Sequence, residues 1–286
     1  MKKVAVVTDS TCCLPRELVE QYDIGIVPLE IIYEDKSYRD GIDITPGEVY
    51  KIMRKKENLP TTSTAAVGDF LEAYRGASKK AESVLCITVT SLQSQTFQAA
   101  STARDMAREE MPNTIVEVFD SRAVAASLGF IVLAVARAAK GGSDLLQCIE
   151  AAKNMMGKVN FLAMLDTLYY LARLGRIAKA AAWAGSVLSV KPILGHSPAV
   201  GVTEPVARPR TKAKAIERML EIMAERVGNS KVHVMVNHAD EMEEAKRLLA
   251  EIKSRFNCVE SYITEFPPVM GVHTGPGLLA IGFYCE

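Results

Sequence analysis

The sequence predicts the α/β fold class with two domains. An N-terminal α/β domain with a parallel sheet is expected over residues 1–158, and a C-terminal α+β domain with a largely antiparallel sheet over residues 159–286. The chain has 286 residues, which exceeds one average domain. In its first part, short apolar strands alternate with helical segments, as in parallel sheets. In its second part, strands with polar and apolar residues on alternate positions are typical of an antiparallel sheet.

Three predicted strands of the first domain each run into a polar turn that is followed by helical sequence. The strands are residues 4–7, 84–89 and 114–119, and their turns are residues 8–11, 90–94 and 120–121. The carboxyl ends of parallel strands meet at one edge of the sheet, and ligands bind at that edge. We therefore expect these turns to converge.

The other elements of the first domain follow from start and stop signals. Pro15 suits the first turn of a helix, and Thr45 with Glu48 has capping-box spacing. The predicted segments are a helix at 15–22, a strand at 25–33 interrupted by Pro28, a polar turn at 35–43, a hydroxyl-rich loop at 60–64, a helix from 67 to about 74 and a buried core helix at 123–136.

The second domain mixes amphipathic helices with alternating strands. Helices are predicted at 144–156, 167–174 and 240–256 and from about 210, and strands at 159–165, 232–236, 258–264 and 278–284. Residues 191–194 and 200–207 read as a hairpin, and residues 177–190 are an apolar, alanine-rich segment that contains Trp183.

Ser94 marks the most informative turn of the chain. It follows a buried strand and three other hydroxyls, and it precedes helical spacing over residues 95–110, so we expect it to be the N-cap of that helix. The free N–H groups and the positive end of a helix dipole bind anions, and hydroxyls add donors. The turn therefore indicates an anion site, although an ordinary capping serine gives the same pattern.

Composition and charge limit the classes of partner. Lys+Arg and Asp+Glu both total 34, so the net charge is zero, which argues against nucleic acid or an anionic membrane as the main partner. The six cysteines lack Cys-x-x-Cys spacing, so we expect reduced thiols and no metal site. The longest uncharged apolar run, residues 123–136, is shorter than the ~20 residues of a membrane span. A cytoplasmic protein without stable membrane insertion is the expectation.

A glycine-rich segment surrounds His273. Gly271, Gly275 and Gly277 with Pro276 predict a tight backbone that brings the histidine close to a ligand. A structural role is the alternative for any single histidine, and it is the one expected for the other three, which are His196, His233 and His238.

Six short motifs resemble, in order, those of the DegV family, the bacterial fatty-acid-binding proteins. They are Thr-Asp-Ser-Thr at 8–11 with Leu-Pro at 14–15, Pro-Thr-Thr-Ser at 60–63, Thr-Ser at 90–91 with Ser-Gln-Thr-Phe-Gln at 94–98, residues 168–177, Lys-Pro-Ile-Leu at 191–194 and His-Thr-Gly-Pro-Gly at 273–277. Each motif is weak alone, but six in register over nearly the whole chain are specific.

The resemblance implies one long-chain fatty acid bound between the two domains. It implies that Thr62 and Ser94 bind the carboxylate, and it places Ser63, His273 and Thr274 in the matching motifs as further fatty-acid-binding residues. The chain departs from the usual family pattern at residues 13, 64–65 and 95.

The resemblance also implies a role in phospholipid metabolism. The protein would itself be no enzyme and would need no cofactor. It would carry the lipid for a separate ATP-dependent fatty acid kinase, which forms an acyl-phosphate.

The residues support this ligand independently. A fatty acid combines one small anion, which suits hydroxyl donors, with an apolar tail that needs a dry tunnel. Residues 123–136 and 161–165 are candidate tunnel walls, with plain core as the alternative. Arg173 and Arg176 form a compact cationic pair that suits an acidic partner surface, with compensation of the helix dipole as the alternative.

Two other classes of function remain open at this stage. A serine hydrolase would use Ser94 as nucleophile and His273 as base, with Asp9 or Asp120 as the orienting acid, but no Gly-x-Ser-x-Gly elbow surrounds Ser94. A nucleotide-dependent kinase would need a glycine-rich phosphate loop after a strand, and the sequence contains none.

Overall fold

The computed structural model describes residues 1–177 and 190–286. The strands are β1 (Lys2–Asp9), β2 (Gly25–Val27), β3 (Glu30–Tyr33), β4 (Lys36–Arg39), β5 (Thr61–Ser63), β6 (Ala81–Thr88), β7 (Ile115–Asp120), β8 (Asn160–Met164), β9 (Ile193–His196), β10 (Thr203–Ala207), β11 (Val232–His238), β12 (Cys258–Glu265) and β13 (Leu279–Cys285). The α-helices are α1 (Arg16–Tyr22), α2 (Pro46–Lys55), α3 (Val67–Ser78), α4 (Thr96–Glu110), α5 (Ala125–Lys140), α6 (Leu145–Met156), α7 (Tyr169–Arg173), α8 (Lys212–Val227), α9 (Met242–Arg255) and α10 (Pro268–Thr274).

The described chain forms two compact units. The first contains Met1–Glu30, Ser63–Val159 and Pro198–Val202, and the second contains Ile31–Thr62, Asn160–Ser197 and Thr203–Glu286. A single boundary at 158–159 would place residues 31–62 in the first domain, but they belong to the second unit. The reason is that α2 packs on α10, where the ring of Tyr50 lies against Gly271.

The first unit is built on a four-stranded parallel sheet with the order β2-β1-β6-β7. Its central strands are apolar on both faces because helices cover both sides. On one side, α3 and α4 pack through a cluster that includes the fully buried Phe70, Tyr74 and Cys86. Helix α5 is buried along most of its length, which confirms the prediction of a buried core helix at 123–136.

The second unit contains a six-stranded sheet with the order β10-β9-β8-β13-β11-β12. All neighbouring pairs are antiparallel except β11 with β12. Alternate residues of β11 face the helices α8 and α9, so Val232, Val234 and Val236 join their core while His233 points to the other face. The parallel sheet and the largely antiparallel sheet are those predicted from the sequence.

Three local predictions were wrong. Residues 61–63 form strand β5 rather than a loop, and residues 36–39 form β4 rather than a turn, because both strands join β3 in a three-stranded sheet. Residues 268–274 form α10, whereas only a tight, glycine-rich backbone was expected. The glycines at 275 and 277 have positive φ and follow the end of this helix, as is common for glycine after a helix. The alanine-rich segment 177–190 lies almost wholly outside the described residues.

Gly129 of α5 tests the packing of the first unit. A Cβ atom there would lie 2.5 Å from the carbonyl oxygen of Cys12, so the backbone would have to move. We expect Gly129→Ala to lower the free energy of unfolding by roughly 1–3 kcal/mol, the usual cost of overpacking. Gly76→Ala is the matched control because nothing lies within 4 Å of its added Cβ on α3. Chemical denaturation measures both, and equal stabilities would contradict the packing described here.

Candidate functional site

Asp9 ties two turns of the first unit together. This residue ends β1 and is fully buried. Its carboxylate accepts hydrogen bonds from the N–H of Thr11 at 3.0 Å, the hydroxyl of Thr11 at 2.5 Å and the N–H of Val89 at 2.7 Å. Burial raises the pKa of Asp9, while the hydrogen bonds from Thr11 and Val89 act in the opposite direction. The turn after β1 is thereby fixed to the end of β6.

Asp120 makes the corresponding connection at the end of β7. Its carboxylate accepts from the N–H and hydroxyl of Ser91, at 3.1 and 2.5 Å, and from the N–H of Arg122 at 2.9 Å. The hydroxyl of Thr90 donates to the carbonyl of Gly201 at 2.7 Å. The turns at 8–11, 90–94 and 120–121 therefore meet at the carboxyl edge of the parallel sheet, as predicted.

Ser94 lies at the entrance of α4. The N-cap position belongs to Gln95 rather than Ser94, because the helix begins one residue later than expected. Ser94 still binds the helix start, since its Oγ accepts from the N–H of Thr96 at 3.2 Å. Its hydroxyl is also 2.8 Å from that of Thr96, to which Thr64 donates at 3.1 Å.

The three hydroxyls form a chain with a favoured direction. Thr64 donates to Thr96, and either hydroxyl can be the donor in the bond between Thr96 and Ser94. Thr96 is fully buried, where an unused proton is costly, so the arrangement in which Thr96 donates to Ser94 is favoured. In that arrangement Ser94 accepts two hydrogen bonds from Thr96, one from the amide and one from the hydroxyl. Its own proton stays free to donate to an acceptor outside the chain. Ser94 is half-buried, so that acceptor can reach it.

Thr62 and His273 form a pair in the second unit. Thr62 lies in β5 and His273 in the last turn of α10, and Thr62 Oγ1 is 3.0 Å from His273 Nε2. Burial, together with the positive charges of Arg176 and Arg173, lowers the pKa of His273 to about 4. The imidazole is therefore neutral at neutral pH. Its other nitrogen, Nδ1, is buried without a hydrogen-bond partner among the described residues.

Arg173 supports the segment that leads into β5. Its guanidinium donates to the carbonyl of Leu59 at 3.4 Å and also to the carbonyl of Pro60. Arg176 donates to the carbonyl of Leu174, close to the end of α7. Both side chains are exposed at the surface.

Ser63 and Thr274 differ from the other predicted site residues. Ser63 is exposed, and its hydroxyl makes no hydrogen bond within the part of the chain that the structure describes. Thr274 is buried, and its hydroxyl donates within its own segment, to the carbonyls of Met270 at 3.1 Å and Gly275 at 3.3 Å.

The structure thus yields two groups of candidate residues. The first group is Ser94 with Thr64 and Thr96. The second group is Thr62 with His273, and Arg173 is connected to it because it binds the carbonyls that precede β5. Thr64 and Thr96 were not predicted as site residues from the sequence. The available signals were the run of hydroxyls at 61–64 and a threonine two residues after Ser94.

Other chemistry has little support. Within residues 1–177 and 190–286, no group of three or more histidine, cysteine or acidic side chains could hold a metal ion. In the same ranges, no helix has the length and apolar character to cross a membrane.

Comparison with known proteins identifies the family. The family model described as "Uncharacterised protein, DegV family" matches residues 3–286. The chain belongs to the DegV family. Protein DegV of Bacillus subtilis is 34% identical over 280 residues, covering 97% of this chain and 98% of that protein.

Solved structures of the family share the fold. A DegV family protein of Thermus thermophilus, described as binding fatty acid, has a TM-score of 0.90 at 29% identity, with both chains fully covered. The crystal structure of DegV of Bacillus subtilis, described as a fatty acid binding protein, has a TM-score of 0.89 at 33% identity, again with both chains fully covered. A stearic acid-binding protein of Eubacterium ventriosum has a TM-score of 0.90 at 26% identity, covering 100% of this chain and 98% of that one.

The lowered pKa of His273 predicts a dependence of stability on pH. The unfolded chain binds a proton at this residue near the ordinary pKa of 6.5, whereas the folded chain does so only near about 4. Between these values the unfolded state holds more protons, so the stabilising contribution is complete above 6.5 and is lost as the pH falls toward about 4. In His273→Gln, the free energy of unfolding should fall less steeply with decreasing pH across this window.

Denaturant titrations at a series of pH values measure this slope. The two proteins should run parallel above pH 7, where neither state of the histidine changes its protonation. Equal slopes below that pH would contradict the lowered pKa.

Proposed function

We propose that this protein binds a long-chain fatty acid and presents its carboxylate to a separate ATP-dependent fatty acid kinase for acyl-phosphate formation. Ser94 and Thr62 donate to the carboxylate, and Ser63, His273 and Thr274 belong to the same site. The observation that carries the proposal is the row of hydroxyls Thr64, Thr96 and Ser94, in which the burial of Thr96 favours an arrangement with a free proton on Ser94.

The Thr62–His273 pair supplies a second donor. A neutral imidazole and a hydroxyl carry one mobile proton each, and their mutual hydrogen bond uses one of them. If Thr62 donates to Nε2, the remaining proton lies on Nδ1, which is buried away from a ligand. We therefore propose the tautomer in which Nε2 donates to Thr62, because the hydroxyl proton of Thr62 is then left for the carboxylate. With the proton of Ser94, two donors are available for the two oxygens of a carboxylate.

Electrostatics also favour an anion near His273. Arg173 and Arg176 lower the pKa of this residue, which means that the potential there is positive. The arginines are exposed, so water and salt screen much of their effect. The carboxylate is thus held mainly by neutral hydrogen-bond donors.

The apolar tail supplies most of the binding free energy. Each buried CH₂ contributes ~0.8 kcal/mol, so a chain of sixteen or so carbons contributes on the order of 10 kcal/mol before ordering costs. Helix α5 and β8, with Phe161 at its start, are the proposed walls of the tail channel. The stearic acid-binding relative supports a ligand of this length.

The structure gives no support to a hydrolase. Nε2 of His273 is engaged by Thr62, and Asp9 and Asp120 are occupied by backbone and hydroxyl donors of the first-unit turns. A catalytic serine needs a histidine whose second nitrogen is oriented by an acid, and Nδ1 of His273 has no partner among the described residues. Fatty acid binding without turnover is therefore the function proposed.

Removal of the two donors tests the carboxylate site. Ser94→Ala and Thr62→Ala should each weaken fatty acid binding roughly tenfold or more, since each loses a charge-assisted hydrogen bond. Binding should persist because burial of the tail is unchanged. The two effects should be coupled, because both donors act on one anion. Titration calorimetry with a fatty acid and with the corresponding fatty alcohol, which should respond much less, measures the difference.

Thr102→Ala is the matched control for this test. Its hydroxyl is exposed on α4 and donates to the carbonyl of Gln98, so its loss should leave affinity unchanged. Since Ser94 also binds the start of α4, its loss should cost ~1 kcal/mol of stability, which denaturation measures separately. Unchanged fatty acid affinity in the double variant would remove the basis for the site.

Arg176 tests the proposed role of the arginine pair in binding the kinase. Arg173 holds the carbonyls of Leu59 and Pro60 before β5, whereas Arg176 donates to the carbonyl of Leu174 in its own segment, so charge reversal is made at Arg176. We expect Arg176→Glu to lower acyl-phosphate formation by a larger factor than it lowers fatty acid affinity, because it repels an acidic kinase surface. Arg16→Glu, on the exposed face of α1, is the control. Kinase rates at saturating fatty acid measure the effect, and an unchanged rate would leave only the helix-dipole role.

A further inference from the structure

Helix α10 is in close contact with two tyrosine rings. A Cβ atom at Gly271 would lie 2.8 Å from Cε1 of Tyr50, and one at Gly275 would lie 2.2 Å from Cε2 of Tyr170. Gly271 lies within the helix, and Gly275 follows its last residue as the C-cap. At both positions a tyrosine ring occupies the space where a side chain would otherwise stand. His273 lies between them.

Both rings are fixed by their own surroundings. Tyr50 and Tyr170 are 0% and 5% exposed. The hydroxyl of Tyr50 donates to the carbonyl of Phe266, and that of Tyr170 donates to the carbonyl of Met53, both at 3.4 Å. Tyr50 and Met53 lie on α2, and Tyr170 lies in the first turn of α7, so these contacts join both helices around α10.

The start of α10 has a third anchor. The carboxylate of the buried Asp40 accepts from the N–H of Val269 in the first turn, at 2.8 Å. A carboxylate at this end also suits the helix dipole. The short helix is therefore fixed at its start by Asp40, in its middle by Tyr50 and just after its end by Tyr170.

We propose that Tyr50 and Tyr170 are positioning residues that align His273 with Thr62. The proposal rests on the function proposed above, because it concerns the donors of the carboxylate site. The distance from His273 Nε2 to Thr62 Oγ1 is 3.0 Å, and a hydrogen bond weakens steeply when its length or angle departs from the optimum. The rings set how closely α10 approaches α2 and α7, so they determine whether the histidine reaches Thr62.

A glycine of α2 without such a contact provides a control. Gly47, in the first turn of α2, has nothing within 4 Å of its added Cβ. Gly47→Ala therefore changes α2, the helix that carries Tyr50, without touching α10. It serves as the matched control for Gly271→Ala. Gly271 has ordinary helical backbone angles, so its replacement tests the contact with Tyr50 alone.

Gly271→Ala is the first experiment. We expect it to lower fatty acid affinity about tenfold while fatty alcohol affinity changes much less, because the loss falls on the carboxylate donors. The ring signals of His273 in NMR spectra of the ligand-free protein, assigned with His273→Gln, should shift. In Gly271→Ala combined with Tyr50→Leu, the smaller side chain makes room, so part of the affinity should return. Gly47→Ala should match the wild-type protein in every measurement.

A second variant serves if Gly271→Ala does not fold. Tyr170→Leu removes the ring beside Gly275 without adding an atom, and Tyr170→Phe keeps the ring. The leucine variant should lower the ratio of acid to alcohol affinity and shift the His273 signals, and the phenylalanine variant should do so much less.

One result would overturn the positioning role. In that result, Gly271→Ala or Tyr170→Leu would lower the free energy of unfolding but leave the ratio of fatty acid to fatty alcohol affinity and the His273 signals unchanged. The tyrosine rings would then contribute only to packing. A wild-type protein that binds no fatty acid would instead overturn the proposed function. The His273 signals would still test the alignment in that case, because they require no ligand.

Discussion

A hydroxyl has one proton, and this limit governs the candidate site. A side chain that already donates to a neighbour in the protein has nothing left for a ligand. In the first unit, two bonds among Thr64, Thr96 and Ser94 use two of the three protons, and the full burial of Thr96 favours Ser94 as the residue that keeps the third. In the second unit, the mutual bond of Thr62 and His273 uses one proton and leaves one. Hydroxyl-rich sequence becomes a donor site only when the directions of the hydrogen bonds are fixed in this way.

Fixing those directions requires a rigid frame, and the two units provide it by different means. In the first unit, the carboxylates of the buried Asp9 and the half-buried Asp120 accept several donors each and hold the turns that follow the strands. Such multiple acceptance offsets the desolvation that burial imposes on a charged group. In the second unit, Arg173 holds the carbonyls before β5, and packing on tyrosine rings holds α10. The first frame depends on carboxylates that accept several hydrogen bonds, and the second depends mainly on shape.

The sequence was sufficient for the features that depend on long patterns. The parallel and antiparallel sheets followed from apolar strands alternating with helices and from alternating strands, since these patterns extend over many residues. Short segments were harder to predict, because pairing with distant strands decides their structure. Thr61–Ser63 has only the extended preference of threonine, and β3 makes it a strand. The helix Pro268–Thr274 has glycines that suggest a loop, but Gly271 is there for contact with Tyr50. Likewise, only the coordinates could show that the Ser94 hydroxyl accepts from the amide of Thr96.

A site made of neutral donors has consequences for how a fatty acid would be held on the proposed function. Each charge-assisted hydrogen bond contributes ~1.5–3 kcal/mol, whereas the tail contributes on the order of 10 kcal/mol. The tail then sets the affinity, and the head group sets which end is fixed and where. A buried, fully charged imidazolium would add attraction for the carboxylate, but burial and the nearby arginines keep His273 neutral. On the proposed function, the carboxylate would consequently be oriented without being neutralised by a proton or a buried cation. An oxygen in that state would keep the nucleophilic character that attack on a phosphoryl group requires.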